Sequence, residues 1–407
     1  MKQVQKLMGA CVSAALLAAC GGNSLVAPGT GAPQSFGSQH VSGSSASHGV
    51  RTNTVTESVL YSFGGGSDGR EPYTGVTELG GALYGTTQNG GTSDDGTVFE
   101  MTPSGAESVL YSFAGNSDGR NPRGAGLAKS GGALFGTTFH GGGIDDGTVF
   151  KITTSGSESV LHDFGGGNDG VNPSATLIKV GNAFYGTTIF GGTNGVGTVF
   201  KVTAYGTESV IYSFGGGSDG ECPYAGLTDV GGVLYGTTAN GGTSNDGTVF
   251  KITTSGTESV LYSFAGDSDG ANPYAGLTDV NGVLYGTTVN GGAPDNEGTV
   301  FRITTAGSES VLHNFGSGND GVAPFDGLTQ LGAALYGTTT YGGASGNGTV
   351  FKVKIATGHV SRIYTFAGGS DGAHPHGGLT KVSSTLYGTT YDGGMSGNGT
   401  VYSLTGL

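Results

Sequence analysis

Aspartate stands before glycine at seven evenly spaced places: Asp68, Asp118, Asp169, Asp219, Asp269, Asp320 and Asp371. Carboxylates are hard oxygen donors and a calcium ion takes several of them, so the pattern raises a cation site. Its most ligand-like run is Asp267-Ser268-Asp269-Gly270. A second account needs no ion: Asp closes a turn through local backbone bonds while Gly takes positive φ. Sevenfold repetition favours turn closure, because one site rarely needs seven copies. No cofactor is expected, with calcium at Asp267 and Asp269 as the exception the sequence leaves open.

Each Asp-Gly is followed, after a proline, by a variable residue: Tyr73, Arg123, Ser174, Tyr224, Tyr274, Phe325 or His376. Phe139, Phe190, Tyr341 and Tyr391 lie in the second loop of four repeats. Aromatic rings beside Asn and Asp can stack on sugars and bond their hydroxyls, or they can pack between repeats. Tyr73, Tyr224, Tyr274 and Tyr341, with Asp68 and Asp269, are the ligand-binding candidates. No catalytic residue is assigned. Cys222 sits in a slot that elsewhere holds Glu71, Asn121, Asn172, Asn272, Ala323 or His374, which reads as a loop position. Cys11 and Cys20 lie in the leader, so a single thiol and no internal disulfide are expected in the folded part. His374 and His376 flank Pro375 and offer a metal pair for which the sequence supplies no third ligand. His162 and His313 replace tyrosines within strands and read as packing. No nucleophile elbow, P-loop or dinucleotide motif is present.

Glycine accounts for 86 of 407 residues, yet it occupies fixed slots between β-branched and aromatic runs, which argues against disorder. Charged residues make up 11%, against roughly 25% in an ordinary domain. Net charge is −14, and without Lys2 and Lys6 it becomes −16, from 14 basic and 30 acidic residues. Such a surface repels phosphate backbones and disfavours nucleic acid, leaving cations, basic proteins and neutral polymers.

Residues 1–19 carry Lys2 and Lys6 and then an apolar run from Leu7 to Ala19, the pattern of an export signal too short to span a membrane. The run ends in Leu17-Ala18-Ala19-Cys20-Gly21, which resembles the bacterial lipoprotein cleavage box. That resemblance implies lipidation of Cys20 and, with Gly21 following, retention at the outer membrane. Residues 20–56 are rich in Gly, Ser, Ala and Thr and read as a flexible tether.

The elements that position these residues repeat. The glycine of Tyr/Phe-Gly-Thr-Thr falls at Gly85, Gly136, Gly186, Gly236, Gly286, Gly337 and Gly388, in steps of 50 or 51 residues. Each repeat holds four strand-like runs; in the first they are 57–63, 74–79, 82–87 and 97–102. Apolar groups fall on both parities, as at Val59-Leu60-Tyr61, so both sheet faces must be covered. Neighbouring copies can do this in an all-β, seven-bladed β-propeller of four-stranded blades over 57–407. Hairpin turns such as Thr153-Thr154-Ser155-Gly156 disfavour the alternative, a β-solenoid. Glycine inside a strand is expected where backbones crowd near the axis. The repeat starts out of phase, so residues 57–63 are expected to supply the outer strand of the last blade and close the ring.

Leu-Tyr-Gly-Thr-Thr, then Gly-Gly, then Gly-Thr-Val-Phe-Lys-Ile-Thr resembles the bacterial GloVer-type (Gloeo/Verruco) tandem repeat of exported proteins. The family implies no settled activity. The period also resembles kelch repeats, but the tryptophan those carry is absent. Alternating strands put both long loop types on one face, where binding residues collect. The expectation is an envelope-anchored, monomeric, non-enzymatic binding or scaffold propeller for a protein or polysaccharide. A lyase or hydrolase acting on extracellular polysaccharide at the ring mouth is the alternative.

Overall fold

Backbone pairing divides the strands into seven antiparallel sheets, each one blade. The computed structural model describes residues 55–123, 126–316 and 319–407, so the expected export signal, Cys20 and nearly all of the expected tether lie outside the described residues. Val55–Leu407 forms one compact unit. In the first blade Thr77–Leu79, Ala82–Thr87, Thr97–Met101 and Glu107–Ser112 run in order from the axis outward. The last blade takes its outermost strand from the start of the chain: Thr56–Ser62 pairs with Thr400–Thr405, Glu57 opposite Leu404. The expected ring closure is therefore observed. The third blade differs, because Gly170–Pro173 of its crossover adds a fifth strand against Ala183–Gly191.

The repeated motif is explained by packing. Gly85 faces Phe99 on the neighbouring strand of its own blade. A Cβ on Gly85 would lie 2.4 Å from Phe99 Cζ, so the ring occupies the space a side chain would need. Crowding at the axis, the expectation from sequence, is not the reason. The first threonine of Gly-Thr-Thr reaches the next crossover: Thr86 donates to Pro122 O at 3.0 Å and Thr187 to Ala225 O at 2.9 Å. The second binds the threonine of Gly-Thr-Val, as Thr87 with Thr97 at 2.8 Å and Thr390 with Thr400 at 2.8 Å. These hydroxyls are satisfied by a backbone carbonyl or by one another in the buried interior, where an unpaired one is costly; Thr137 Oγ1 is the exception and has no partner.

The core lies between blades. Tyr84, Val98 and Phe113 pack against Leu127, Leu134, Phe150 and Ile152 of the next blade. Phe63 and Val401 pack against Leu83, Phe99 and Met101 across the closure. Each fully buried Phe contributes about 1.5–3 kcal/mol of apolar transfer, so the interfaces hold the ring together. The doubled parity of the outer strand has a local cause. Val98 pairs with Tyr111 and Phe99 with Val109, leaving Leu110 as an extra residue in a β-bulge. The bulge resets the alternation and lets Val109, Leu110 and Tyr111 all reach partly buried surroundings.

Inner strands are joined around the axis by threonine hydroxyls. Thr77 donates to Leu127 O, Thr278 to Leu328 O and Thr329 to Leu379 O, and Thr380 to Val76 O across the closure.

Candidate functional site at the mouth of the ring

Seven crossover prolines set the geometry of the mouth. A Cβ on Gly96 would lie 2.6 Å from Pro122 Cδ, so the glycine of Gly-Thr-Val, at φ 99°, gives the next crossover its seat. The residue before each proline is left-handed, from Asn121 at φ 52° to Glu71 at φ 59°. Such a conformation is uncommon for side chains other than Asn, Asp and Gly. It turns the chain so that the residue after proline reaches the axial mouth.

There the variable residues meet. Tyr224 packs edge-on to Tyr274, with ring centroids 4.8 Å apart, and Tyr274 lies 5.6 Å from Phe325. Phe325 lies 5.2 Å from His376, and His376 stacks on Tyr73 at 4.8 Å and 22°. Five consecutive rings thus form an arc, and Tyr391 closes its end edge-on to Tyr73 at 5.8 Å. Ser174 donates to Tyr224 O at 3.1 Å. The Arg123 guanidinium lies 3.9 Å over the Phe139 ring, and its charge reaches both Tyr73 and Tyr224.

The electrostatics are those of a half-dry cleft. Burial pushes the Tyr224 phenol up to about 12. Burial also raises the Asp326 carboxyl, against backbone N–H groups of Gly327 and Gly378 that lower it. Burial, and secondarily His374, drives His376 down to about 3, so its imidazole is neutral. Its Nδ1 is buried without a hydrogen-bond partner. The mouth therefore presents ring faces, one guanidinium and one carboxyl, with an unpaired imidazole nitrogen buried beneath them.

The structure brings Tyr73, Tyr224 and Tyr274 into the arc. Tyr341 stands on its shoulder, 5.1 Å from His374, itself bonded through Nδ1 to Asp392 at 2.8 Å. The aspartates lie elsewhere. Asp68 accepts from Tyr61 OH at 2.9 Å and Gly64 N at 2.7 Å. Asp269 accepts from Tyr262 OH at 2.8 Å and Ala265 N at 2.9 Å, while Asp267 is exposed. Every Asp-Gly aspartate takes such a bond from the outer strand, and His162 and His313 replace the tyrosine at Asp169 and Asp320. Asp94 and Asp145 of the second loop bind Arg70 and Arg120. Cys222 is fully buried in the slot before Pro223. Sequence reasoning passed over Arg123, Asp326 and His376 as a group. Their signal was variability in two adjacent slots, the residue after the crossover proline for Arg123 and His376 and the next one for Asp326.

A profile of the Gloeobacter/Verrucomicrobia repeat matches residues 80–294 and 256–406, and the chain belongs to that family. None of the curated proteins matches it. Among solved structures, the extracellular domain of a protein described as a one-component system from B. thetaiotaomicron superposes with TM-score 0.57 at 14% identity. The match covers 87% of this chain and 42% of that one, so this chain spans less than half of that relative's length. Oligogalacturonate lyase from Vibrio parahaemolyticus gives TM-score 0.52 at 9% identity, covering 86% and 97%. At such identities the likeness is one of fold. Among the described residues no helix is long and apolar enough to cross a membrane.

Proposed function

We propose that the protein is an envelope-anchored binding module that recognises a polysaccharide or protein through its long-loop face, with the ring mouth as the docking point. The arc from Tyr224 through Tyr274, Phe325 and His376 to Tyr73 carries this reading. It offers several ring faces at one place, flanked by Arg123 and Asp326, and sugar rings stack on such faces while their hydroxyls bond the polar rim. The slot that forms it is irregular in a chain whose blades are otherwise near copies, and ligand contacts need such asymmetry. The anchor rests on Cys20: Cys20→Ser is expected to release the protein from membranes, and unchanged fractionation and mature mass would remove that part of the proposal.

A second reading is favoured by one observation. The neutral, unpaired Nδ1 of His376 beside Tyr73, with Arg123 facing the same tyrosine, is a base and a cation at one mouth. In a lyase acting on acidic sugars, the arginine would neutralise the carboxylate while the base takes the proton α to it, a C=C bond forms, the β C–O glycosidic bond breaks, and the leaving oxygen takes a proton from water. The fold of a known oligogalacturonate lyase is compatible with this reading. A screen of neutral and acidic glycans with the purified protein separates the two. Retention without product supports the binding module. Unsaturated products that vanish in His376→Ala establish the lyase.

A further inference from the structure

We propose that His162, Asp169 and Glu208 form a divalent transition-metal site at the outer rim, between the second and third blades. His162 lies on the outermost strand Glu158–Asp163, Glu208 on the next outermost strand Glu208–Ser213, and Asp169 on the crossover between them. Nε2 of His162 lies 3.1 Å from Asp169 Oδ2 and 3.9 Å from Glu208 Oε2, and the three donor atoms fall within 4.8 Å of one another. Ligand atoms about 2.0–2.2 Å from a tetrahedral zinc sit at separations close to these. Three protein donors leave a fourth position open, and one imidazole nitrogen with two carboxylates suits zinc better than calcium, which takes six to eight oxygens.

The repeat supplies its own controls. At five blade interfaces a tyrosine stands where His162 does, and its hydroxyl donates to the aspartate: Tyr61 to Asp68, Tyr111 to Asp118, Tyr212 to Asp219, Tyr262 to Asp269 and Tyr364 to Asp371. A phenol is a poor ligand beside two carboxylates. At the sixth, His313 meets Asp320 at 2.9 Å, but Val360 occupies the place of the glutamate. Only the second-to-third interface combines histidine, aspartate and glutamate. Oε1 of Glu208 is buried without a hydrogen-bond partner, as it is in Glu57, Glu107, Glu158, Glu258 and Glu309, so the histidine and not this oxygen sets the interface apart. Second donors hold Asp169 in place: the backbone N–H of Gly165 at 3.0 Å on Oδ2 and of Gly170 at 2.7 Å on Oδ1. An ion here would tie two blades through their outermost strands, far from the mouth.

The test is zinc titration by calorimetry into the untagged full chain, with thermal melting in chelator and in zinc. The expected result is one zinc per chain and a higher melting temperature in zinc. His162→Tyr restores the residue of the other blades and should fold. It should lower zinc affinity at least about tenfold and abolish the thermal shift, because the only nitrogen donor is lost. His313→Tyr should change neither. Glu208→Gln gives a second check, weakening zinc binding while keeping the side chain's shape. Absence of saturable zinc binding, or binding that survives both His162→Tyr and Glu208→Gln, overturns the site.

Discussion

The imidazole of His376 lies flat against the phenol ring of Tyr73, 4.8 Å centre to centre, although 303 residues separate them. One belongs to the last crossover and the other to the first, so the contact exists only because the ring is closed. Thr389 donating to Thr74 O at 2.8 Å and the pairing of Thr56–Ser62 with Thr400–Thr405 lie at the same seam. Deleting 57–62 should expose the edge of Thr400–Thr405, lower the melting temperature and promote aggregation. Deleting 22–50 should leave melting unchanged. Equal melting of both variants and the parent would remove the seam from the account.

The strand glycines should be intolerant of even one methyl group. Gly85→Ala places a Cβ 2.4 Å from Phe99 Cζ, and the ring cannot retreat within a buried interface. A loss of about 1–3 kcal/mol is expected in denaturant unfolding. Gly80→Ala, at a turn with open space but φ 64°, should cost less than a core clash, about 1 kcal/mol.

Stability should fall as pH rises towards neutrality. Glu57, Glu107, Glu158, Glu208, Glu258 and Glu309 are each pushed up to about 7, mainly by burial at a blade interface. Asp68 and Tyr61 face Glu107, and Asp219 and Tyr212 face Glu258. The folded state holds these protons where the unfolded chain, near 4.5, has released them. Their contribution is complete below about 4.5, declines between 4.5 and 7, and is flat above. Melting measured in chelator should be higher at pH 5 than at pH 7.5, and the difference should shrink in Glu107→Gln. A melting temperature that rises over this interval would contradict the burial of these carboxyls.

Calcium tests the aspartates. Asp269 already closes its turn with Tyr262 and Ala265, as Asp68 does with Tyr61 and Gly64. If that is the whole of its role, millimolar calcium leaves the melting temperature unchanged. A rise lost on Asp267→Asn would assign calcium to the Asp267–Asp269 run.

The ring and its seam were legible because they follow from period and phase, which are properties of the chain alone. The reason for Gly85 was not, since it depends on where Phe99 points once two strands are paired. The outer-strand bulge was hidden for the same cause: Val109-Leu110-Tyr111 shows doubled parity but not which residue is extra. At the mouth, the tyrosines were legible as a slot, whereas the neighbourhood of Arg123, Asp326 and His376 is made by crossovers far apart in sequence. The trio of His162, Asp169 and Glu208 was overlooked because each was read within its own repeat. Aligning the repeats marks His162 as an exception, but only packing of adjacent blades places Glu208 beside it.

The central claim is that the mouth, rather than aromatic exposure in general, binds ligand. The most direct measurement is the affinity of a retained glycan for the parent, for Tyr224→Ala/Tyr274→Ala, and for Tyr205→Ala, with melting recorded for each. Tyr205 is 96% exposed on a short turn away from the mouth. The account predicts at least about tenfold weaker binding for the mouth variant, from ring contacts worth about 0.5–1.5 kcal/mol each beyond their buried area, and parent affinity for Tyr205→Ala. Unchanged affinity in the folded mouth variant, or loss of binding in Tyr205→Ala, would contradict it.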